Sequence, residues 1–64
     1  MPKKEFLEFC EDFIKKHHFT PSGFGRKALG LSYFIYRLRK GCEAREETQN
    51  KVFAFIEKYE SEER

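Results

Sequence analysis

Net positive charge, the property best suited to bind a polyanion, is concentrated in the middle of this 64-residue chain. Residues 20–45 carry a net charge of +5, whereas residues 1–19 are neutral and residues 46–64 carry −3, for a total of +2. A local positive excess attracts nucleic acids, and arginine can read guanine through two parallel hydrogen bonds. The same excess also occurs on ordinary solvated surfaces. The charge distribution therefore indicates a nucleic-acid surface or a plain polar one, and the choice depends on the elements that carry it.

The two cysteines and two histidines do not match a known reactive site. The spacing of Cys10 and Cys42 fits neither a CxxC redox motif nor a zinc finger, and Cys10 and His17 lie two helical turns apart, too far to share a metal. There is no nucleophile motif, phosphate-binding glycine loop or pair of carboxylates, and so short a chain can hardly bury a substrate cleft. We expect two free thiols, no enzyme activity, no metal and no cofactor.

The length and the apolar runs limit the class of protein. A chain of this length holds at most one domain, residues 1–64. No apolar run approaches the roughly 20 residues needed to cross a bilayer, and no continuous apolar region follows Met1 as it would in a signal peptide. Small secreted domains usually carry more than two cysteines. The sequence therefore predicts a cytoplasmic protein without a membrane segment.

Hydrophobic periodicity predicts an all-α fold of four helices and no strand. Thr20 or Ser22 is expected to cap helix two, and Gly30 to end it. Ser32 and Thr48 are the expected N-caps of helices three and four. The predicted helices span residues 3–17, 21–29, 32–40 and 48–60.

Helices two and three, joined by Gly30-Leu31-Ser32, match a helix-turn-helix over about residues 21–41. In this motif the first helix crosses the DNA backbone, and the start of the second contacts base edges in the major groove. Gly30 would allow the sharp turn, and Leu31 would fill the space between the two helices. The candidate base-reading residues are Ser32, Tyr33, Tyr36 and Arg37. The candidate phosphate contacts are Ser22, Arg26, Lys27, Arg39, Lys40 and Arg45.

The residues of this segment resemble those of small bacterial and phage helix-turn-helix proteins of the lambda-repressor and Cro-like group. The matching runs are Phe24-Gly25-Arg26-Lys27-Ala28-Leu29-Gly30, then Phe34-Ile35 and Leu38-Arg39-Lys40-Gly41, and the resemblance covers about residues 20–56. The chain departs from the group at Leu31-Ser32, where Asp-Pro is frequent, and at Cys42, where Arg is frequent. The resemblance implies a small transcriptional regulator, usually a dimeric repressor. Such regulators include phage proteins that are encoded beside anti-CRISPR genes and silence that operon.

A homodimer is expected because one short helix contacts only a few base pairs, so specificity usually requires two half-sites of an inverted repeat. Helices one and four carry more aromatic side chains than a small core should need, and Phe9 and Phe53 lie off the main apolar stripes. We expect Phe53, Ile56 and Tyr59, with part of helix one, to form the dimer interface. Alternatively, Phe53 lies in the core of a monomer.

Two functions from different classes remain open. The first is a sequence-specific double-stranded DNA-binding regulator that represses its own gene, with no membrane or small-molecule partner. The second is a small helical adaptor, or an antitoxin-like inhibitor, that binds a protein and no specific DNA. A repressor should lose affinity steeply as salt rises because its phosphate contacts release counterions, and an adaptor should not. RNA binding through Tyr33 and Tyr36 is a third option, but no strand-based RNA platform is predicted.

Overall fold

The computed structural model describes residues 2–62, which form four helices joined by short links. This part of the chain contains no strand, so the predicted all-α class is confirmed. None of its helices combines the length and the apolar character that crossing a membrane requires. The helices are α1 (Lys3–Lys16), α2 (Pro21–Leu29), α3 (Phe34–Arg39) and α4 (Glu46–Glu62).

Both ends of α2 lie where the sequence predicts them. The Thr20 hydroxyl accepts a hydrogen bond from Gly23 N–H at 2.9 Å, and Pro21 is the first helical residue. At the other end Gly30 has a φ of +73°, and its N–H donates to the carbonyl of Arg26 at 2.8 Å. Because glycine adopts this left-handed conformation without steric cost, it ends the helix and turns the chain towards α3.

The predicted start of helix three at Ser32 is wrong. Phe34 N–H donates to the carbonyl of Leu31 at 3.2 Å and closes a turn over residues 31–34, so α3 begins only at Phe34. Tyr33 is the residue before the helix, and no side chain caps its N-terminus. The result is a helix of six residues instead of nine.

The predicted N-cap of helix four is also wrong, because α4 begins at Glu46 and contains Thr48. Glu46 and Glu47 lie in the first turn, where the helix dipole favours negative charge. The buried side chain of Gln49 donates to the carbonyl of Ala44 at 3.1 Å and holds the preceding link against the helix.

All four helices contribute to one hydrophobic core. α2 packs against α3 and α4, and α1 packs against α2 and α3. Burying one large apolar side chain contributes about 1.5–3 kcal/mol, so a cluster of this size can hold even the short α3 in place. The buried apolar residues are Phe6, Cys10, Phe13, Ile14, Phe24, Phe34, Ile35, Leu38, Val52 and Ile56.

The contact between α2 and the turn that follows depends on Gly25. A Cβ atom at this position would lie 2.2 Å from the carbonyl oxygen of Leu31 and 3.2 Å from Cβ of Phe34. Leu31 itself is 36% exposed, so the prediction that its side chain fills the space between the helices is wrong. The backbone of Leu31 fills that space instead, and it can lie this close to α2 because Gly25 has no side chain.

Candidate nucleic-acid interface

α3 has one buried and one exposed face. Phe34, Ile35 and Leu38 pack into the core, with exposed fractions of 7% or less. Tyr33 and Tyr36 are 48% and 44% exposed. Arg37 is also exposed, as is Ser32 in the turn before the helix. The four predicted base-reading residues are thus all accessible, three of them on or next to the outward face of α3.

Each exposed tyrosine on this face is paired with an arginine. The guanidinium carbon of Arg37 lies 5.7 Å from the ring centroid of Tyr33. The same distance separates the guanidinium carbon of Arg39 from the ring of Tyr36. Such cation–π contacts are worth about 0.5–1 kcal/mol at exposed sites and restrict both side chains. The outward face therefore presents planar groups with hydrogen-bond donors in a limited set of orientations.

Arg39 is bound by a carboxylate from a different helix. Its Nη2 and Nε atoms donate to the two oxygens of Glu11 in α1, at 2.6 and 3.1 Å. The hydrogen bond from Arg39 lowers the pKa of the Glu11 carboxyl, and the same contact raises the pKa of the guanidinium. Exposed ion pairs are worth up to about 1 kcal/mol, and this two-bond geometry belongs to the stronger ones.

A groove of about 420 Å³ lies between α3 and the start of α4. Tyr33 and Arg37 line it on the α3 side, and Arg45 and Thr48 line it on the other. Among the described residues that line it, one is acidic, Glu43, and two are arginines. The groove therefore has a positive excess beside the exposed face of α3, which suits an anionic group.

The link that forms one wall of the groove is held at several points. Cys42 N–H donates to the carbonyl of Arg37 at 3.0 Å, and the Lys3 ammonium donates to the carbonyl of Gly41 at 3.1 Å. Gly41 has a φ of +103°, a conformation that favours glycine. These two bonds join the link to α3 and to the start of α1.

The remaining predicted phosphate contacts lie in α2 and just after α3. Arg26 and Lys27 are exposed in the last turn of α2, and Lys40 is exposed just after α3. The ammonium of Lys27 lies 5.6 Å from the ring centroid of Phe19, at the edge of the core. Ser22 is half-buried in the first turn of α2, where Thr20 is the capping residue.

The three predicted dimer-interface residues differ in how far their own chain covers them. Ile56 is buried, with 5% exposed, so a partner could cover little more of it. Tyr59 is half-buried, and its ring centroid lies 5.5 Å from Phe13. Phe53 is half-buried between Phe6 and Phe9, with centroid distances of 5.6 and 5.4 Å. The packing of Phe53 thus agrees with the monomer alternative as well.

The apolar surface that α1 and α4 leave accessible is centred on Phe9, which is 36% exposed. A groove of about 320 Å³ beside it is lined by Phe9, Lys16, Ile56 and Glu60, among others. Lys16 and His17, at the end of α1, lie 3.1 and 3.2 Å from the Glu60 carboxylate and join the two helices.

The cysteines occupy contrasting environments. Cys10 is fully buried in the core, and burial raises the pKa of its thiol to about 12. Cys42 is an exposed free thiol in the wall of the positive groove. Among residues 2–62, no three His, Cys, Asp or Glu side chains come together as ligands for a metal ion.

Two residues that position this surface, Glu11 and Gln49, were not singled out in the sequence, and Gly25 was noted only as part of the matching run. Gly25 stands in a helix where glycine is unfavourable, which is the one local signal of a close approach. Glu11 and Gln49 carry no such signal, because their roles depend on partners that the fold supplies.

No protein-family model, curated protein or solved structure matches the chain, so no relative indicates what this surface binds.

Proposed function

We propose that this chain is a sequence-specific double-stranded DNA-binding protein, in which α2, the turn 30–33 and α3 act as a helix-turn-helix. The observation that carries the proposal is the outward face of α3, where Tyr33, Tyr36 and Arg37 are exposed while the opposite face is buried. A helix anchored in this way can present its side chains to base edges in the major groove without unpacking. Arg37 is the best candidate for reading guanine.

The charge around α3 supports the same proposal. Arg26 and Lys27 are exposed in the last turn of α2, Lys40 is exposed after α3, and Arg45 is exposed before α4. Contacts of such side chains with phosphates position a protein on the duplex without specifying sequence. Residues 20–45 contain one acidic residue, Glu43, against six basic ones, and this net charge of +5 attracts a duplex.

The short length of α3 supports a dimer. Six residues span about 9 Å at 1.5 Å per residue, which corresponds to roughly three base pairs. Two copies on an inverted repeat would double the sequence that is read. The exposed Phe9, beside Phe53 on the α1–α4 surface, is the best available centre for that contact. An operator beside its own gene would make the protein an autoregulatory repressor.

DNA binding is tested by fluorescence anisotropy with the duplex immediately upstream of the gene and with a scrambled duplex, each titrated at several salt concentrations. We expect tighter binding to the upstream duplex and a steep loss of affinity with salt. Arg37→Ala should weaken the specific complex by about 1–3 kcal/mol and relax the preference at one base pair. Lys27→Ala should weaken both complexes about equally.

Arg37→Lys is the matched control, because it keeps the charge and removes the two-pronged hydrogen bonding. If Arg37→Lys restores full discrimination, Arg37 acts as a charge and not as a base reader. Equal, weak binding of the native protein to both duplexes would contradict the proposal and favour the adaptor alternative.

The dimer is tested separately by sedimentation at micromolar concentration, with Phe9→Ser as a variant of the exposed apolar surface. Only a 7.7 kDa species for the native protein would contradict the dimer. A dimer that Phe9→Ser dissociates, with its helix content unchanged, would support the α1–α4 surface.

A further inference from the structure

We infer that Glu11 and Arg39 are positioning residues that orient the ring of Tyr36 for base contact, and that Arg39 is not a phosphate contact. This inference rests on the proposed DNA-binding function. It replaces the assignment of Arg39 from sequence and gives a role to a residue of α1, outside the helix-turn-helix.

Glu11, Arg39 and Tyr36 contact one another in series, from α1 to the outward face of α3. Both carboxylate oxygens of Glu11 accept hydrogen bonds from Arg39, at 2.6 and 3.1 Å. The guanidinium held in this way lies 5.7 Å from the ring centroid of Tyr36. Because two bonds fix the plane of the guanidinium as well as its place, they also limit the orientations of the adjacent Tyr36 ring.

The second tyrosine–arginine pair on this face differs in one respect. Arg37 lies over Tyr33 at the same distance of 5.7 Å, but within residues 2–62 it has no ion-pair partner. Its guanidinium keeps its donors for a base edge. The two pairs therefore have different roles: Arg37 can contact DNA itself, whereas Arg39 acts through Tyr36.

Arg39 is not expected to contact a phosphate because Glu11 neutralises its charge. A phosphate would meet a guanidinium whose charge is already balanced by a carboxylate and two of whose nitrogens already donate charge-assisted hydrogen bonds. Lys40, the next residue, is exposed after the end of α3 and can contact a phosphate without that competition. The two adjacent cations are thus expected to respond differently to substitution.

The test compares Glu11→Gln with Glu8→Gln. Both variants remove one negative charge from α1, but only Glu11 contacts Arg39, and Glu8 lies exposed one turn earlier. The quantity to measure is the ratio of affinities for the upstream and scrambled duplexes, because a general change of charge affects both duplexes alike. We expect Glu11→Gln to lower this ratio about two- to fivefold and Glu8→Gln to leave it unchanged.

Arg39→Ala and the double variant Glu11→Gln/Arg39→Ala complete the cycle. Arg39→Ala should lower the ratio as Glu11→Gln does, and the double variant should lower it no further. The salt dependence should keep its slope in Arg39→Ala, whereas Lys40→Ala should reduce the slope by about 0.9. If Glu11→Gln strengthens binding to both duplexes equally and Arg39→Ala reduces the slope, Arg39 is a phosphate contact and the inference is overturned.

A measurement without DNA separates this inference from the proposed function. The ring-proton resonances of Tyr36 in NMR spectra should shift in Glu11→Gln and Arg39→Ala, but not in Glu8→Gln. Unchanged Tyr36 resonances would overturn the positioning role even if the protein binds DNA. If the Tyr36 resonances shift but the native protein binds no DNA specifically, the proposed function and the base contact are overturned. The contact among Glu11, Arg39 and Tyr36 would still be supported.

Discussion

Replacing Gly25 by alanine should destabilise the protein, although the same change in an ordinary helix is stabilising. Alanine is favoured over glycine in a helix by about 1 kcal/mol. At Gly25, however, the added Cβ would lie 2.2 Å from the carbonyl oxygen of Leu31, well inside the ordinary contact range of 3.4–4 Å. The obstacle is backbone, so it cannot be avoided by a change of side-chain rotamer.

The magnitude follows from the movement that the clash requires. To reach ordinary contact, the turn after α2 must move away by about 1.2 Å, the difference between 3.4 and 2.2 Å. This movement stretches the hydrogen bond from Leu31 N–H to the carbonyl of Gly25, now 3.1 Å. Overpacking of this kind costs about 1–3 kcal/mol, and a clash with backbone belongs at the upper end. Subtracting the gain in helix propensity leaves a loss of about 2 kcal/mol.

Thermal unfolding followed by circular dichroism measures this loss. A domain of this size loses roughly 4–8 °C in Tm per kcal/mol, so Gly25→Ala should unfold about 8–16 °C below the native protein. Gly23→Ala is the matched control in the same helix, since its Cβ would meet only the Thr20 hydroxyl at 2.8 Å. There the gain in propensity and the disturbed cap should nearly cancel. A Gly25→Ala protein as stable as the native one would refute the close-approach reasoning.

Three further predictions concern reactivity, backbone strain and pH. Iodoacetamide should modify the exposed Cys42 in the native protein and Cys10 only on unfolding, as mass spectrometry of the labelled protein can show; modification of both thiols at the same rate would contradict the burial of Cys10. His18 has a left-handed φ of +59°, which glycine adopts without steric cost. His18→Gly should therefore raise the free energy of unfolding in urea by about 0.5–1 kcal/mol, because the steric relief exceeds the entropy that glycine adds to the unfolded chain. A less stable variant would contradict this reasoning. Because the hydrogen bond from Arg39 lowers the pKa of Glu11 in the folded state, the pair should stabilise the protein fully above about pH 4.3 and progressively less as pH falls through that lowered pKa. The stability difference between the native protein and Glu11→Gln should therefore be constant at neutral pH and shrink in acid. A difference independent of pH would show that the ion pair does not stabilise the protein.

Local signals in the sequence were sufficient for several elements of the fold. Hydrophobic periodicity predicted α1 over residues 3–17, and Thr20 and Gly30 predicted the two ends of α2. These features depend on residues within a few positions of one another, through helical periodicity, a side-chain cap and a left-handed glycine. For the same reason the exposed face of α3, with Tyr36 and Arg37, could be predicted from its buried positions.

Other features were decided by the tertiary structure. The turn over residues 31–34 shortens α3, because its backbone hydrogen bond replaces the cap expected from Ser32. Gly25 is required by the path of the chain beyond α2, and Ile56 is covered by helices that are distant in sequence.

Arg39 shows the difference most clearly. In the sequence it is one of several basic residues in a positive segment, equivalent to Lys40 beside it. In the fold it is neutralised by Glu11, 28 positions earlier, whereas Lys40 has no ion pair within residues 2–62. Composition and spacing determine where charge is concentrated along the chain. Which of those charges remain available to a ligand depends on side chains that only folding brings within hydrogen-bond distance.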